Sequence, residues 1–391
     1  MQTNRIFPYP RLVLCALILL AHTFLWVTTG YLPTQSNPYH SYALQAQSWL
    51  SGRLDVDYCS WLEQAIYQGK YYISFPPLPS AILLPFVALF GLSTPDHLLT
   101  FLAAMIGALC AFDMAKKSGG KDETCVFWAL FVTIGSNLIF VSILGWVWYM
   151  AQTFAFAFTM AAFAGAVSGQ PGRMRRSLFY LACAVGCRPL NLLFFPVLFY
   201  LIWRRLPEKH YTACIKRWYW LIAPGCVAFF LCALNYARFD SIVEFGHNYL
   251  PEFLESPNGQ FNFAYITYNL FRCIRLYTDN FEIPRFDGWA FYLVMPIFIS
   301  ALIGPLQTKR KPNTLFWLVC ATMLAHLCFT CAHKTMGGWH FGCRYLIDAL
   351  PLAYLLCVQS RQNCKVFKFD KLLMAVGIVV NLCGTIWFYL F

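Results

Sequence analysis

Charged residues are scarce in this sequence. Only 12% of its 391 residues are charged, whereas 59% are hydrophobic and the mean hydropathy is +0.54. No part of the chain is polar enough to form a separate soluble domain, and apolar windows of about 18 to 22 residues recur along its length. Each window is long enough to cross a hydrocarbon core of roughly 30 Å. The composition therefore predicts a polytopic membrane protein with one domain over residues 1–391.

Two cysteine patterns are missing as well, those of a zinc site and of a disulfide framework. The chain has 17 cysteines, but most lie inside apolar segments, and no CxxC or Cys/His zinc spacing occurs. Cys59, Cys273 and Cys343 fall in predicted loops. We therefore interpret the cysteines as buried free thiols and expect no structural metal.

The first apolar segment, residues 12–27, lacks a small-residue cleavage site, so we interpret it as a retained membrane helix. The net charge of +12 does not indicate a nucleic-acid partner, because the lysines and arginines lie in short clusters between apolar segments. Such clusters mark the cytoplasmic side of a membrane protein. They lie at residues 116–121, 173–176, 204–217, 309–311 and 361–371. These clusters predict a multi-pass protein of the cell membrane with a cytoplasmic N terminus.

The segments between the basic clusters are predicted to be extracytoplasmic. They are a first loop at residues 30–75, a turn near residues 146–152, a second loop at 238–287 and a third loop at 333–343. About eleven of the 17 acidic residues lie in or beside them, although acids play no part in the assignment. Titratable groups are therefore concentrated on the outer side.

The topology requires that one of two apolar segments within residues 76–115 does not span. The chain enters this stretch from an external loop and leaves it at a basic cluster, so it crosses only once. The prolines at positions 76, 77 and 79 favour a short first helix that dips in from outside; a break at Gly135-Ser136 is the alternative. Arginines at both ends of residues 177–203, interrupted at Arg188, indicate a helical hairpin. We predict an all-α bundle of about ten to thirteen membrane helices.

The first loop is too polar to span and too aromatic for a flexible linker. Apolar residues at helical spacing predict two short interfacial helices, over residues 43–50 and 61–66. Asp55, Asp57 and Glu63 are each either a solvated loop charge or a functional carboxylate that acts as a general base or binds a divalent cation. Lys70 is either a snorkelling interfacial lysine or a cation for a lipid phosphate.

The second loop also carries charged groups close to the membrane. Arg238 ends an apolar helix and either anchors that helix at the interface or binds a phosphate through two nitrogens. Glu244 and His247 follow shortly after it. The external histidines fit no metal-ligand spacing. We treat these three residues as candidates for substrate binding.

The third loop is similar in composition. A glycine pair leads to Trp339 and His340, and Arg344 and Asp348 follow at the spacing i, i+4 of one helical face. The arginine and the aspartate either form a structural pair or belong to a site. Trp339, His340 and Arg344 are candidates for substrate binding.

Two further candidates lie where apolar segments are interrupted. Gln152 belongs to GWVWYMAQTF, residues 145–154, which is either an aromatic belt at the interface or a platform for a sugar or prenyl group. Arg188 lies at the interruption of the helical hairpin. Both are added to the substrate-binding set.

Several of these stretches together resemble the C-type (GT-C) glycosyltransferase superfamily, which includes protein O-mannosyltransferases and the aminoarabinose transferase of lipid A. The matching stretches are the first loop with its three acids, GKYYISFPPLPSAILLPF, SILGWVWYMAQTF, GCRPLNLLFFP, NYARFDSIVEFGHNY and GGWHFGCRYLIDALP. The resemblance implies a polyprenyl-phosphate-linked sugar as donor, extracytoplasmic transfer, a catalytic acid in the first loop and cations near the lipid phosphate. Phe75 replaces the cation that often precedes the paired prolines.

Together with the resemblance, the residues predict a membrane glycosyltransferase that moves a sugar to a glycan, lipid or protein of the cell envelope. Glu63, Asp57 and Asp55, in that order, are the candidate bases. Arg238, Arg344 and Lys70 are the candidates that stabilise the departing lipid phosphate. One alternative is a transporter or flippase of lipid-linked sugars, which needs polar groups near mid-membrane. Another is a protein of the same fold without catalytic activity.

Overall fold

The computed structural model describes residues 9–35, 37–206, 216–276, 289–308 and 311–391. Parts of two predicted basic clusters, residues 207–215 and 309–310, and the end of the second loop, residues 277–287, lie outside these ranges.

The described elements are mainly helices, with one pair of short strands. In chain order they are α1 (Pro10–Thr29), α2 (Ser41–Leu50), β1 (Gln64–Tyr67), β2 (Lys70–Ile73), α3 (Leu78–Phe90), α4 (Asp96–Lys117), α5 (Asp122–Thr133), α6 (Leu138–Ser142), α7 (Val147–Ala166), α8 (Pro171–Cys187), α9 (Phe195–Arg205), α10 (Ile222–Phe239), α11 (Pro251–Leu254), α12 (Ile266–Ile274), α13 (Phe291–Val294), α14 (Ile297–Thr308), α15 (Thr314–Ala332), α16 (Leu350–Gln359) and α17 (Lys368–Leu390).

Six helices among the described residues are long and apolar enough to cross a membrane. They are α1, α4, α7, α10 with the 3₁₀ turn before it, α15 and α17. The other apolar helices are shorter, and several pairs of them join at a break. The predicted helical membrane fold is confirmed as a mainly helical one, with six candidate spans among the described residues. We call the face that carries residues 30–75, 240–276 and 333–343 the loop face, and the opposite face the basic face.

One of the two helices predicted in the first loop is observed, and the other prediction is wrong. α2 covers the first and buries Ala43 and Ala46. Residues 64–73 instead form an antiparallel β-hairpin. Gln68 and Gly69 make its turn with φ of 50° and 74°, the left-handed conformation of a type I′ hairpin turn. Glycine at this point, between strands rich in tyrosine and isoleucine, favours a hairpin over a helix.

α3 begins and ends on the loop face. Before it, Phe75 packs on Tyr42 of α2, with ring centroids 6.3 Å apart. After it, Asp96 accepts a hydrogen bond of 3.2 Å from Asn37 of the first loop. A further proline inside the helix, Pro85, removes one backbone donor. α3 therefore lies against the first loop and does not carry the chain to the basic face, the arrangement that the topology argument requires.

Two further breaks fall where the sequence indicates them. α5 and α6 are separated at residues 134–137, the alternative break of the topology argument. Gly377 of α17 packs so closely there that an added Cβ would lie 2.2 Å from the Gly135 carbonyl oxygen. α8 ends before Arg188 and Pro189, and a 3₁₀ turn leads into α9. Both breaks bring backbone or polar groups into the helical bundle.

The core extends from the membrane helices to the loops. The largest group of buried side chains runs through the bundle from α1 to α17. A second group packs α2, the hairpin and α3 against α7, with Tyr42, Ile73 and Phe75 among its members. The first loop is therefore held in place by burial of apolar surface.

Candidate functional site

Glu63 lies between the first loop and the start of α7. Its Oε2 accepts a hydrogen bond of 3.2 Å from Trp148 Nε1. The side chain contacts solvent, yet desolvation by the surrounding protein raises the pKa of its carboxyl. The hydrogen bond from Trp148 opposes this rise, the charge of Glu252 adds to it, and the charge of Arg344 opposes it. The carboxylate is therefore accessible to water at its surface while neighbouring protein partly desolvates it.

The start of α7, which holds Trp148, is fixed by polar contacts around Gly145. Asn37 Nδ2 donates to the Gly145 carbonyl oxygen at 2.6 Å, and the Gly145 amide donates to His97 Nδ1 at 3.0 Å. A Cβ at position 145 would lie 2.3 Å from the backbone carbonyl carbon of Asp96. Only glycine therefore allows α4 and the start of α7 to approach this closely.

An arginine cluster, formed by Gln152, Arg188, Arg344, Tyr345 and Asp348, lies within electrostatic range of Glu63, since the charge of Arg344 acts on the Glu63 carboxyl. Arg188 Nε donates to Asp348 Oδ2 at 2.9 Å, and the Asp348 side chain is fully buried. Gln152 Nε2 donates to Asp348 Oδ1 at 3.3 Å and to the Arg344 carbonyl oxygen at 3.0 Å, while Arg344 Nη1 donates to Gln152 Oε1 at 3.3 Å. Both guanidinium groups lie over the Tyr345 ring, at 4.9 and 5.1 Å.

The cluster has an excess of positive charge. Two guanidinium groups face one carboxylate, so one positive charge is left without a counter-charge inside the cluster. Burial lowers the pKa of Arg344, and its Nε has no hydrogen-bond partner among the described residues. A buried donor without an acceptor is unfavourable, so the cluster suits an anionic group, which Arg binds well through its planar donors.

Two histidines, His247 and His333, lie next to the arginine cluster. The His247 ring packs on Phe75, with centroids 5.3 Å apart, and the His333 ring packs on Tyr345 at 5.6 Å. Burial, His333 and the charge of Arg188 lower the pKa of His247 to about 3. Burial likewise lowers the pKa of His333 to about 4, partly opposed by a hydrogen bond with the Thr335 carbonyl oxygen, and Arg188 and Arg344 lower it further. Both imidazoles are therefore neutral at pH 7.

The third loop holds Arg344 through its backbone. Gly337 has φ of +86°, and a Cβ there would lie 2.5 Å from Arg344 Nη2. Arg344 Nη2 donates to the Gly338 carbonyl oxygen at 3.3 Å, and the buried His340 accepts a hydrogen bond from the Arg344 amide. Tyr149 donates to the Trp339 carbonyl oxygen. Trp339 and His340, predicted as substrate-binding residues, thus support the loop that carries Arg344.

Arg344 and Asp348 do not form the structural pair that is one of the two interpretations of their spacing. Residues 344–349 form a 3₁₀ turn rather than an α-helix, so side chains four residues apart do not align. Asp348 pairs with Arg188 from the other side of the bundle.

Asp55, Asp57 and Lys70 lie apart from the arginine cluster. Arg53 Nη2 contacts both aspartates, at 2.8 and 2.9 Å, and 84% of the Asp57 side chain is exposed. Lys70 lies at the hairpin turn and is exposed, where its charge acts on Asp55. The contacts of these residues are those of solvated loop charges.

Arg238 and Glu244 make contacts that stabilise the second loop. Arg238 is buried and donates to the carbonyl oxygens of Leu234 and Ile73 and to Asn235 Oδ1. It thereby ties the end of α10 to the hairpin. Glu244 accepts hydrogen bonds of 2.6 Å from the Gly246 amide and from Asn248.

No group of three or more His, Cys, Asp or Glu side chains among the described residues is arranged to hold a metal ion. A cleft of about 590 Å³ with Lys121, Lys365 and Lys371 in its lining lies at the basic face, and an apolar groove of about 480 Å³ lies along α10. Neither is lined by a predicted site residue.

The sequence reasoning missed four contributors: Trp148, Tyr345, Asp348 as the partner of Arg188, and Asn37. The available signal for Trp148 is its place in the aromatic run that also contains Gln152. For Tyr345 and Asp348 the signal is adjacency to Arg344. No local pattern marks Asn37, because its partners lie far away in sequence.

The described residues form a helical membrane bundle that carries Glu63 and the arginine cluster on its loop face. No protein-family model matches the sequence, and no curated protein does so.

Two solved structures of ArnT from Cupriavidus metallidurans are similar to the chain. The structure bound to undecaprenyl phosphate aligns with a TM-score of 0.52 and 13% identity, and the apo structure with 0.55 and 14%. Each alignment covers 88% of this chain and 59% of the ArnT chain. The chain thus spans a little under three fifths of the ArnT length and has an ArnT-like fold.

Proposed function

We propose that the protein is a glycosyltransferase that moves a sugar from a polyprenyl-phosphate donor to a cell-envelope acceptor on the extracytoplasmic face. The observation that carries the proposal is that the charges of Glu63 and Arg344 act on each other on the loop face of an ArnT-like fold. The ArnT structure with undecaprenyl phosphate supports a lipid phosphate as the ligand class.

In the proposed reaction, Glu63 accepts the proton of the acceptor hydroxyl as that oxygen bonds to the anomeric carbon of the sugar. The bond between the anomeric carbon and the phosphate oxygen breaks, and its electron pair leaves with the polyprenyl phosphate. Arg344, together with Arg188, stabilises the negative charge that develops on the departing phosphate oxygen. A general base contributes about 10²- to 10⁴-fold to such a reaction.

Lys70, Arg238, Asp55 and Asp57 have minor roles in this proposal. Arg238 positions the hairpin, and Lys70 is available to a headgroup only at the loop surface. The two aspartates share one counter-charge, that of Arg53. The acceptor is a glycan, a lipid or a protein.

The test is a transfer assay in vesicles that contain polyprenyl-phosphate sugars. We expect Glu63→Gln to lower kcat at least about 10²-fold, and Arg344→Ala to raise KM for the donor. Asp57→Asn is the matched control, because it removes a first-loop carboxylate outside the cluster, and it should keep wild-type rates. Wild-type transfer by Glu63→Gln refutes the assignment of the base. Movement of the donor across the vesicle without transfer supports the transporter alternative instead.

A further inference from the structure

Three cysteines from separate elements meet on the loop face. Cys273 lies in α12, Cys331 in the last turn of α15, and Cys343 directly before Arg344. All three are buried, with at most 1% of their surface exposed. The side chain of Cys273 interacts directly with those of Cys331 and Cys343. The sequence gives no sign of this grouping, because 58 residues separate positions 273 and 331.

The backbone around Cys273 and Cys331 is already joined. Asn269, one turn before Cys273 on α12, donates to the Cys331 carbonyl oxygen at 2.9 Å and to the His333 carbonyl oxygen at 2.8 Å. The contact of Cys343 is different, since its Sγ donates to the Cys273 carbonyl oxygen at 3.7 Å. Cys273 and Cys331 therefore lie at the contact of two packed helices, where their side chains interact.

We propose that Cys273 and Cys331 form a disulfide bond during folding and that Cys343 remains a thiol. The proposal rests on the extracytoplasmic placement of the loop face given under the proposed function, because that compartment is oxidising. The oxidant is an external disulfide. The Cys273–Cys331 bond forms, the oxidant's sulfur–sulfur bond breaks, and two protons and two electrons leave the cysteine pair to give two oxidant thiols.

The bond would join α12 to the segment that carries His333 and leads to Arg344. It would therefore restrict the third loop, which holds one side of the arginine cluster. The described cysteines are free thiols in the structure, as interpreted from the sequence, and the proposal departs from that for this one pair.

A pair on the basic face provides the internal control. Cys125 and Cys364 are buried near the Ala115 carbonyl oxygen: Cys364 Sγ donates to it at 3.4 Å, and a Cβ added at Gly120 would lie 3.0 Å from it and 2.9 Å from Cys125 Sγ. They lie on the predicted cytoplasmic side, so they should stay reduced. Accidental oxidation during purification would not distinguish the two faces.

The experiment is peptide mapping of the full chain, purified without reductant after its thiols are blocked with N-ethylmaleimide in denaturant. We expect a Cys273–Cys331 cross-linked peptide, with Cys343, Cys125 and Cys364 carrying maleimide. The cross-link should persist in Cys343→Ser and disappear in Cys331→Ser. Reductant should lower the melting temperature of wild type by several degrees but not that of Cys331→Ser.

Maleimide on both Cys273 and Cys331 of wild type would overturn the proposal, as would a Cys273–Cys343 cross-link in its place. A cross-link between Cys125 and Cys364 at similar yield would overturn it too, because cysteines would then be oxidised equally on both faces of the membrane. None of these measurements uses sugar transfer, so a failure of the proposed glycosyltransferase activity is seen separately.

Discussion

Replacement of Asp348 with asparagine probes the arginine cluster at its centre. The Asp348 carboxylate is fully buried and accepts hydrogen bonds from Arg188 and Gln152. Asparagine keeps the shape but leaves the Arg188 charge without its partner. Breaking one side of a buried ion pair costs about 3 to 5 kcal/mol of unfolding free energy. Because Arg188 is 20% exposed and the asparagine oxygen still accepts its hydrogen bond, we expect the lower value, about 3 kcal/mol.

The assay combines unfolding in mixed detergent micelles with donor titration in the transfer reaction. Asp113→Asn breaks an exposed pair with Arg11, whose atoms are 2.6 Å apart, and should cost less than about 1 kcal/mol. Unfolding of Asp348→Asn at the same midpoint as Asp113→Asn would refute the reasoning.

A second control separates local from general effects. Asp370 pairs with Arg361 on the basic face, and both side chains are fully buried. Asp370→Asn should therefore destabilise the protein at least as much as Asp348→Asn, by about 3 to 5 kcal/mol. Only Asp348→Asn should raise KM for the donor, because only that change shifts the arginines. An equal rise in both variants would show that the effect is not specific to the site.

The other predictions concern pH, backbone conformation and topology. Burial raises the pKa of Glu63 above its ordinary value of 4.5, so the active ionised form is lost as pH falls through the raised pKa. The acidic limb of the kcat/KM profile should therefore lie above pH 4.5, and it should vanish in Glu63→Gln. Gly337→Ala is strained at φ of +86° and collides with Arg344, so it should cost about 1 to 2 kcal/mol of unfolding free energy and raise KM for the donor. Gly259→Ala is also at positive φ but lies in open space, so its KM for the donor should equal that of wild type. Reporter domains inserted at Gly119 and Gly259 should report opposite sides of the membrane, and the same side for both would refute the predicted orientation.

Much of the membrane architecture could be predicted from local sequence. Hydropathy identifies the long spans, and prolines indicate the short α3 and the break beside Arg188. The error at residues 61–66 has a local cause as well. Apolar spacing at Leu62, Ala65 and Ile66 fits a helix turn, but Gly69 and the tyrosines that follow favour a hairpin, and this signal prevails.

The sequence by itself determined that this is a helical membrane protein, that its acids gather on one side, and that Glu63 and Arg344 are candidates for one site. Those properties depend on composition and on spacing within single segments. Only the tertiary structure decided that Asp348 pairs with Arg188, that Arg53 neutralises Asp55 and that Cys273 meets Cys331. Such partners come from distant segments, and their contact depends on how the helices pack, which no local pattern encodes.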